Sequence, residues 1–147
     1  MTDTPRVVNG GLAADDRGQL QFINDLDVSA YRRFYVISNH RAGFVRAWHG
    51  HQFEGKAITV LRGAAVVGAV KVDDWENPDP NAEVHRVALS GSAPKAFIIP
   101  PGHANGIMSL TDDALIFVFS SSSLEESAGD DIRLPSRFWD IWNVEER

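Results

Sequence analysis

The sequence predicts an all-β fold, a sandwich or barrel of short strands, and three observations carry that expectation. Short runs rich in β-branched and aromatic residues recur along the chain, turn signals separate them, and no long helical period intervenes. The first run, 19–24, follows the turn Asp16-Arg17-Gly18, and the second covers 34–38. Runs 57–61 and 64–72 are divided by Arg62-Gly63, a break too short for anything but a tight reversal. Run 85–89 lies between Asn77-Pro78-Asp79-Pro80-Asn81 and Ser90-Gly91-Ser92. Run 96–99 ends at Pro100-Pro101-Gly102, and 114–120 begins after Thr111-Asp112-Asp113. Strands at this spacing favour a sandwich or barrel. The stretch from Leu124 to Arg147 is polar and then aromatic (Phe138, Trp139, Trp142), which predicts a short helix followed by a strand packed on the barrel's outside.

Composition narrows the function. A length of 147 residues suits one domain with one continuous core, and no internal repeat or linker divides it. No apolar run is long enough to span a bilayer, and no apolar segment follows N-terminal positive charges, so a cytoplasmic protein without a membrane partner is expected. The chain has no cysteine, which excludes disulfides, thiolate nucleophiles and cysteine metal sites. A formal net charge of -6 argues against a nucleic-acid partner. It leaves room for a small phosphorylated ligand, which needs only a few arginines.

The densest chemistry is Arg46-Ala-Trp-His49-Gly-His51, followed by Glu54, Lys56 and Gly63. Residues two apart on a strand share a face, so His49 and His51 should point the same way with Trp48 opposite. Two imidazoles facing a barrel interior are costly unless hydrogen-bonded or put to use. Three readings compete: satisfied polar residues, metal ligands, or acid–base groups. Metal-holding cupins use His-x-His, a glutamate four to six residues later, and a histidine after a Pro-x-Gly turn. Here Lys56 takes the glutamate's place, Glu54 is off by two, and Asn105 stands where the last histidine would be. An ammonium repels a divalent cation and an amide is a poor substitute for imidazole on a transition metal, so no metal is expected. An imidazole can instead remove a carbon-bound proton if cations hold the enolate, which suits Lys56 and Arg46.

At these residues the chain resembles a known family. Arg46-Ala-Trp-His49, Gly55-Lys56 and Arg62-Gly63 resemble the Arg-Gly-Leu-His … Lys … Gly pattern of the dTDP-4-dehydrorhamnose 3,5-epimerases. Ile99-Pro-Pro-Gly102-His-Ala-Asn105-Gly106 resembles their Ile-Pro-x-Gly-Phe-Ala-His-Gly turn, Leu110-Thr-Asp-Asp-Ala114 their Leu-Ser-x-x-Ala, and Asp16-Arg17-Gly18 their Asp-x-Arg-Gly. The likeness runs, with gaps, from about residue 15 to about 125, with all four motifs in order. The pair His49 and His51, behind Arg33-Phe34-Tyr35-Val36, also resembles the related dTDP-sugar 3,4-ketoisomerases.

The resemblance implies a single-domain cupin over residues 1–147, a double-stranded β-helix (jelly-roll) barrel with a short C-terminal extension. It implies a metal-independent isomerase without a cofactor that epimerises a nucleotide-diphosphate 4-keto-6-deoxy sugar at C3, C5 or both, in deoxysugar and O-antigen (lipopolysaccharide) synthesis. A 3,4-ketoisomerase and a sugar-binding cupin without turnover are the alternatives. His49 becomes the general base, His51 a second acid–base group, and Lys56 with Arg46 the holders of the enolate or pyrophosphate. Arg17, and with it Arg33, would bind the diphosphate, Arg17 in a neighbouring subunit's site, because the family's homodimers exchange the strand that carries it. Residues 64–72 are equally explained as an interface or as buried in the barrel.

Four departures bear on these roles. The family's catalytic tyrosine falls in Ser120-Ser121-Ser122-Ser123, so Tyr35 and His51 become the candidate acids. Its turn histidine is Asn105, with His103 displaced two residues earlier and able, by strand parity, to face the same cavity or to sit in a loop. Its aspartate partner for the base falls near Asp130 and Asp131, where Asp131 is the candidate that would fix the tautomer of His49. Its base-recognition glutamate is Phe22, which leaves the nucleotide open.

Overall fold

Alternation of inward and outward residues builds two sheets that share one apolar layer. The computed structural model describes residues 3–147. Its strands are β1 (Arg6–Asn9), β2 (Gly11–Asp15), β3 (Gly18–Phe22), β4 (Arg33–Ile37), β5 (Val45–His51), β6 (Lys56–Arg62), β7 (Ala64–Lys71), β8 (His85–Ser90), β9 (Lys95–Ile99), β10 (His103–Ser109), β11 (Leu115–Ser120) and β12 (Ile132–Arg133). A single 3-10 turn covers Val28–Ala30 and one short helix, α1, covers Leu124–Ala128. One antiparallel sheet runs β1-β9-β6-β11-β4 and a second runs β12-β5-β10-β7-β8, while β2 and β3 form a separate hairpin. The chain is nearly all β, as expected.

From β4 to β7 the chain changes sheet at every step, and it does so again at β8–β9, β9–β10 and β10–β11. Such alternation needs sharp corners, and glycines supply two of them. Gly63 joins β6 to β7 at φ 67° and Gly102 joins β9 to β10 at φ 85°, both in the left-handed region that glycine enters at no steric cost. A Cβ at Gly63 would also lie 2.2 Å from Thr111 Oγ1, so backbone and space both demand glycine there.

Ile58, Val60, Phe97, Ile99, Ile116 and Val118 of the first sheet interdigitate with Ala65, Val67, Ala69, Leu89 and Ile107 of the second. A second apolar layer lies on the other face of the second sheet, where Trp48, Val66, Val70, Ala104 and Met108 are covered by Trp139 and Trp142. Each indole buries roughly 150–250 Å². At about 25 cal/mol per Å² that is about 4–6 kcal/mol of gross stabilisation per ring. Their N–H groups donate to Asp79 O at 2.9 Å and Ser136 O at 2.8 Å, so neither indole buries an unpaired donor.

The C-terminal aromatic segment therefore does pack on the outside, but the strand that follows α1 is only the pair Ile132–Arg133 on β5, and residues 138–142 are irregular chain. Residues 64–72 are buried on both faces, Ala65, Val67 and Ala69 inward and Val66 and Val70 under the tryptophans. Burial, the second of the two explanations for that run, is what the structure shows. Outward apolar exposure falls instead on the edge strand β4, at Phe34 and Val36. Among the described residues no helix is long and apolar enough to cross a membrane.

Candidate active site

Cross-strand register assembles the site at one end of the sandwich. On the inner face of the first sheet, Ser120 lies directly opposite Arg33 on one side and Lys56 on the other, and Lys56 lies opposite Ile99. On the second sheet, His49 is opposite Asn105 and His51 opposite His103. Period two places Arg33, Tyr35 and Ile37 on one face of β4 and His49 and His51 on one face of β5. The two faces and α1 enclose a cavity of about 660 Å³ lined by Arg33, Tyr35, Arg46, His49, His51, Lys56, Asn105 and Asp131 together with α1 side chains. A volume of that order suits a drug-sized ligand.

Eight of the ten candidate residues thus meet. Arg17 does not: it sits exposed on the β2–β3 hairpin, hydrogen-bonded to Asp15. His103 does not line the cavity either. Its Nδ1 donates to Pro100 O at 2.9 Å and lies 3.2 Å from Pro101 O, and the ring is buried.

His49 is the accessible imidazole, with its side chain 30% exposed and Nδ1 3.6 Å from Asp131 Oδ1. Burial, then the charges of Lys56 and Arg133, hold its pKa below the ordinary value, so the ring is neutral and basic near pH 7. Burial pushes the Asp131 pKa up, but the hydrogen bond and charge of Arg133 together with the neighbouring imidazoles bring it below the ordinary carboxylate value. The neighbouring Asp130 instead clamps the β5–β6 connection. Its Oδ1 accepts from Gln52 N at 2.8 Å, and its Oδ2 accepts from Phe53 N and Glu54 N at 2.9 and 3.1 Å.

Lys56 is almost fully buried, and its Nζ donates to Asn105 Oδ1 at 3.3 Å. Burial lowers its pKa, with the Glu54 carboxylate opposing. An ammonium held in a desolvated wall against a neutral amide retains capacity for a developing anion. Arg46 Nε is tied to Asn39 Oδ1 at 2.8 Å. Arg33 Nε donates to Ser122 O at 3.1 Å and its guanidinium lies 5.4 Å from the centroid of the Tyr35 ring. Burial, then the Glu54 charge, pushes the Tyr35 phenol up to about 12, so it keeps its proton at neutral pH.

Sequence reasoning undervalued Glu54, weighed there only as a metal ligand. Its side chain is fully buried beneath Ser120. A sequence signal for its surroundings existed in Ser123-x-x-Glu126, a capping box that starts α1 and so brings Ser127 to the carboxylate. Among the described residues no group of three or more His, Cys, Asp or Glu side chains converges as a metal site would require.

Comparison with known proteins identifies the family and the fold. The family model described as dTDP-4-dehydrorhamnose 3,5-epimerase matches residues 17–141. No curated protein sequence matches significantly. The fold is similar to that of the Bacillus anthracis dTDP-4-dehydrorhamnose 3,5-epimerase crystallised with TDP and PPi (TM-score 0.76, 18% identity, 97% of this chain and 86% of that one). It is also similar to the 3,4-ketoisomerase QdtA of Thermoanaerobacterium thermosaccharolyticum in complex with TDP (TM-score 0.68, 20% identity, 97% and 96%). The Mycobacterium tuberculosis rmlC epimerase is a further likeness (TM-score 0.68, 17% identity, 81% of this chain), and this chain spans 64% of that protein's length.

Proposed function

This chain belongs to the dTDP-4-dehydrorhamnose 3,5-epimerase family, and we propose that it epimerises a nucleotide-linked 4-keto-6-deoxy sugar by proton abstraction next to the keto group. The observation that carries this reading is the accessible, neutral His49 sharing one cavity with the buried Lys56 ammonium. The 4-keto group acidifies the protons on C3 and C5. His49 takes one as H⁺, the electron pair of the broken C–H bond moves to the keto oxygen, and Lys56 with Arg46 holds the resulting enolate. Return of a proton to the opposite face of the carbon, from Tyr35 or from a His51 that already carries a proton on Nε2, inverts the centre and restores the ketone. No metal or cofactor enters this sequence. A second reading, 3,4-ketoisomerisation, is favoured by one specific feature, the placement of two imidazoles on the same strand face. In either case the product would serve deoxysugar and surface-polysaccharide synthesis.

Proton NMR in D2O with a panel of nucleotide-linked 4-keto-6-deoxy sugars tests the proposal. Deuterium is expected at C3, C5 or both, with the ketone still at C4. A carbonyl moved to C3 would transfer the reading to ketoisomerase. Binding with no exchange anywhere would replace both by a binding protein without turnover.

The assembly we propose is a cytoplasmic homodimer in which the hairpin of one subunit brings Arg17 to the diphosphate in the other's cavity. Support comes from that hairpin's forming a sheet of its own, its exposed Arg17, and the exposed Phe34 and Val36 on the cavity strand β4. Sedimentation velocity should give a dimer, and Arg17→Ala should raise KM severalfold while leaving that dimer intact. A monomer with an unchanged KM in the variant would end this part of the proposal.

A further inference from the structure

The β5–β6 connection, residues 52–55, buries a carboxylate that the proposed reaction does not use. Glu54 Oε1 accepts from the Ser120 hydroxyl and lies 3.4 Å from an Arg33 guanidinium nitrogen. Glu54 Oε2 accepts from Ser127 Oγ at 3.1 Å and lies 3.1 Å from His51 Nδ1. The same Nδ1 lies 2.7 Å from the Asp130 carbonyl oxygen. A carbonyl oxygen only accepts, and a carboxylate oxygen already receiving a hydroxyl also accepts, so a ring nitrogen between them must carry the proton.

The opposite ring atom completes the observation. His51 Nε2 is buried and has no hydrogen-bond partner among the described residues, although the His51 side chain forms part of the cavity wall. With the proton fixed on Nδ1 in the neutral ring, Nε2 is left with a bare lone pair. A buried carboxylate is expensive unless its surroundings repay it. Here those surroundings are an imidazole, a guanidinium and the helix that closes the cavity.

We infer that Glu54 is the positioning residue for His51: the Asp130 carbonyl takes the Nδ1–H and leaves Nε2 as proton acceptor, while the Glu54 carboxylate stands 3.1 Å from Nδ1 to stabilise the ring once charged and ties Arg33 and α1 into the same wall. The inference deepens the acid–base reading of the cavity and rests on it for its catalytic meaning. A proton arriving at Nε2 makes an imidazolium with an anion 3.1 Å from its Nδ1, so the carboxylate stabilises the charged ring in place. Charge stabilisation of this kind acts on the turnover step and leaves ligand affinity almost unchanged.

Glu54→Gln tests it because the amide is isosteric but cannot accept at both oxygen positions. Whichever way the amide is turned, one of its ends presents N–H groups, either to the His51 Nδ1–H or to Arg33 and Ser120. Nitrogen-15 NMR of the ring nitrogens should show the Nδ1–H form of His51 in the native protein at neutral pH, and its conversion to imidazolium should need a lower pH in the variant. Solvent-exchange kcat should fall about 10- to 100-fold, part of what a general acid–base group contributes, with KM within about twofold. Glu54→Asp, which keeps the charge, should restore part of the imidazolium transition and part of kcat. An Nε2–H tautomer in the native protein, or an unchanged imidazolium transition and kcat in folded Glu54→Gln, overturns the inference. If Glu54→Gln does not fold, the native spectrum and Glu54→Asp still decide it. If the native protein exchanges no substrate proton at all, the epimerase reading fails while the His51 imidazolium transition still tests the role of Glu54.

Discussion

Replacing His49 by Asn is expected to lower solvent-deuterium exchange at the sugar carbon by about 100- to 10,000-fold, the range contributed by a positioned general base. Nucleotide-sugar affinity should stay within a few fold, because the asparagine amide occupies the same wall and Arg33, Arg46 and Lys56 are untouched. The pH dependence carries a second signature. A base works only when neutral, and burial together with Lys56 holds His49 below the ordinary imidazole value of 6.5. Native kcat/KM should therefore be flat at neutral pH and fall through an acid limb centred below 6.5. Exchange that survives in His49→Asn would remove His49 as the base, and His51 would become the group to examine.

Lys56→Met is expected to cost about 100- to 1,000-fold in exchange, the usual effect of removing one donor to a developing oxyanion. The same change should stabilise the fold. The native ammonium is almost fully buried, with one neutral acceptor at 3.3 Å, whereas methionine fills a similar volume without desolvating a charge. The sign follows from proton uptake. Burial lowers the folded-state pKa of Lys56 below 10.5, so between the lowered value and 10.5 the unfolded chain binds more protons than the folded one. Native stability should rise with pH across that window, and Lys56→Met should lack the rise. Urea midpoints measured between pH 7 and 10 check this. A variant that is both active and less stable than the native protein would contradict the role assigned to Lys56.

Turn chemistry and strand periodicity are local properties, and much of the fold was legible from them. The strand β7 begins where the sequence places it, and Gly63 and Gly102 take the positive φ their turns require. The shared face of His49 and His51 follows from a two-residue period alone, and both line the cavity. Of the strands absent from the runs, β1 and β2 are short and exposed for most of their length, so no apolar alternation announced them, whereas in β5 and β10 the histidines and glycines interrupt the β-branched pattern.

What the sequence alone determined is the all-β class, the corners, and the chemical character of β5 and β6. Only the tertiary structure decided which side chains meet across the sandwich. Asp130 and Asp131 are adjacent in sequence, yet one clamps a loop 76 to 78 residues away and the other faces His49. His103 shares the strand parity of Asn105, yet it sits outside the cavity, held by the carbonyls of its own turn. Glu54 finds Ser120, Ser127, Arg33 and His51 by contacts spanning up to 73 residues. The physical reason is common to all three: a residue's local pattern sets the face it occupies, but its partner depends on how two sheets are registered and stacked. That register is fixed by the packing of the whole apolar layer, and no short segment of the chain encodes it.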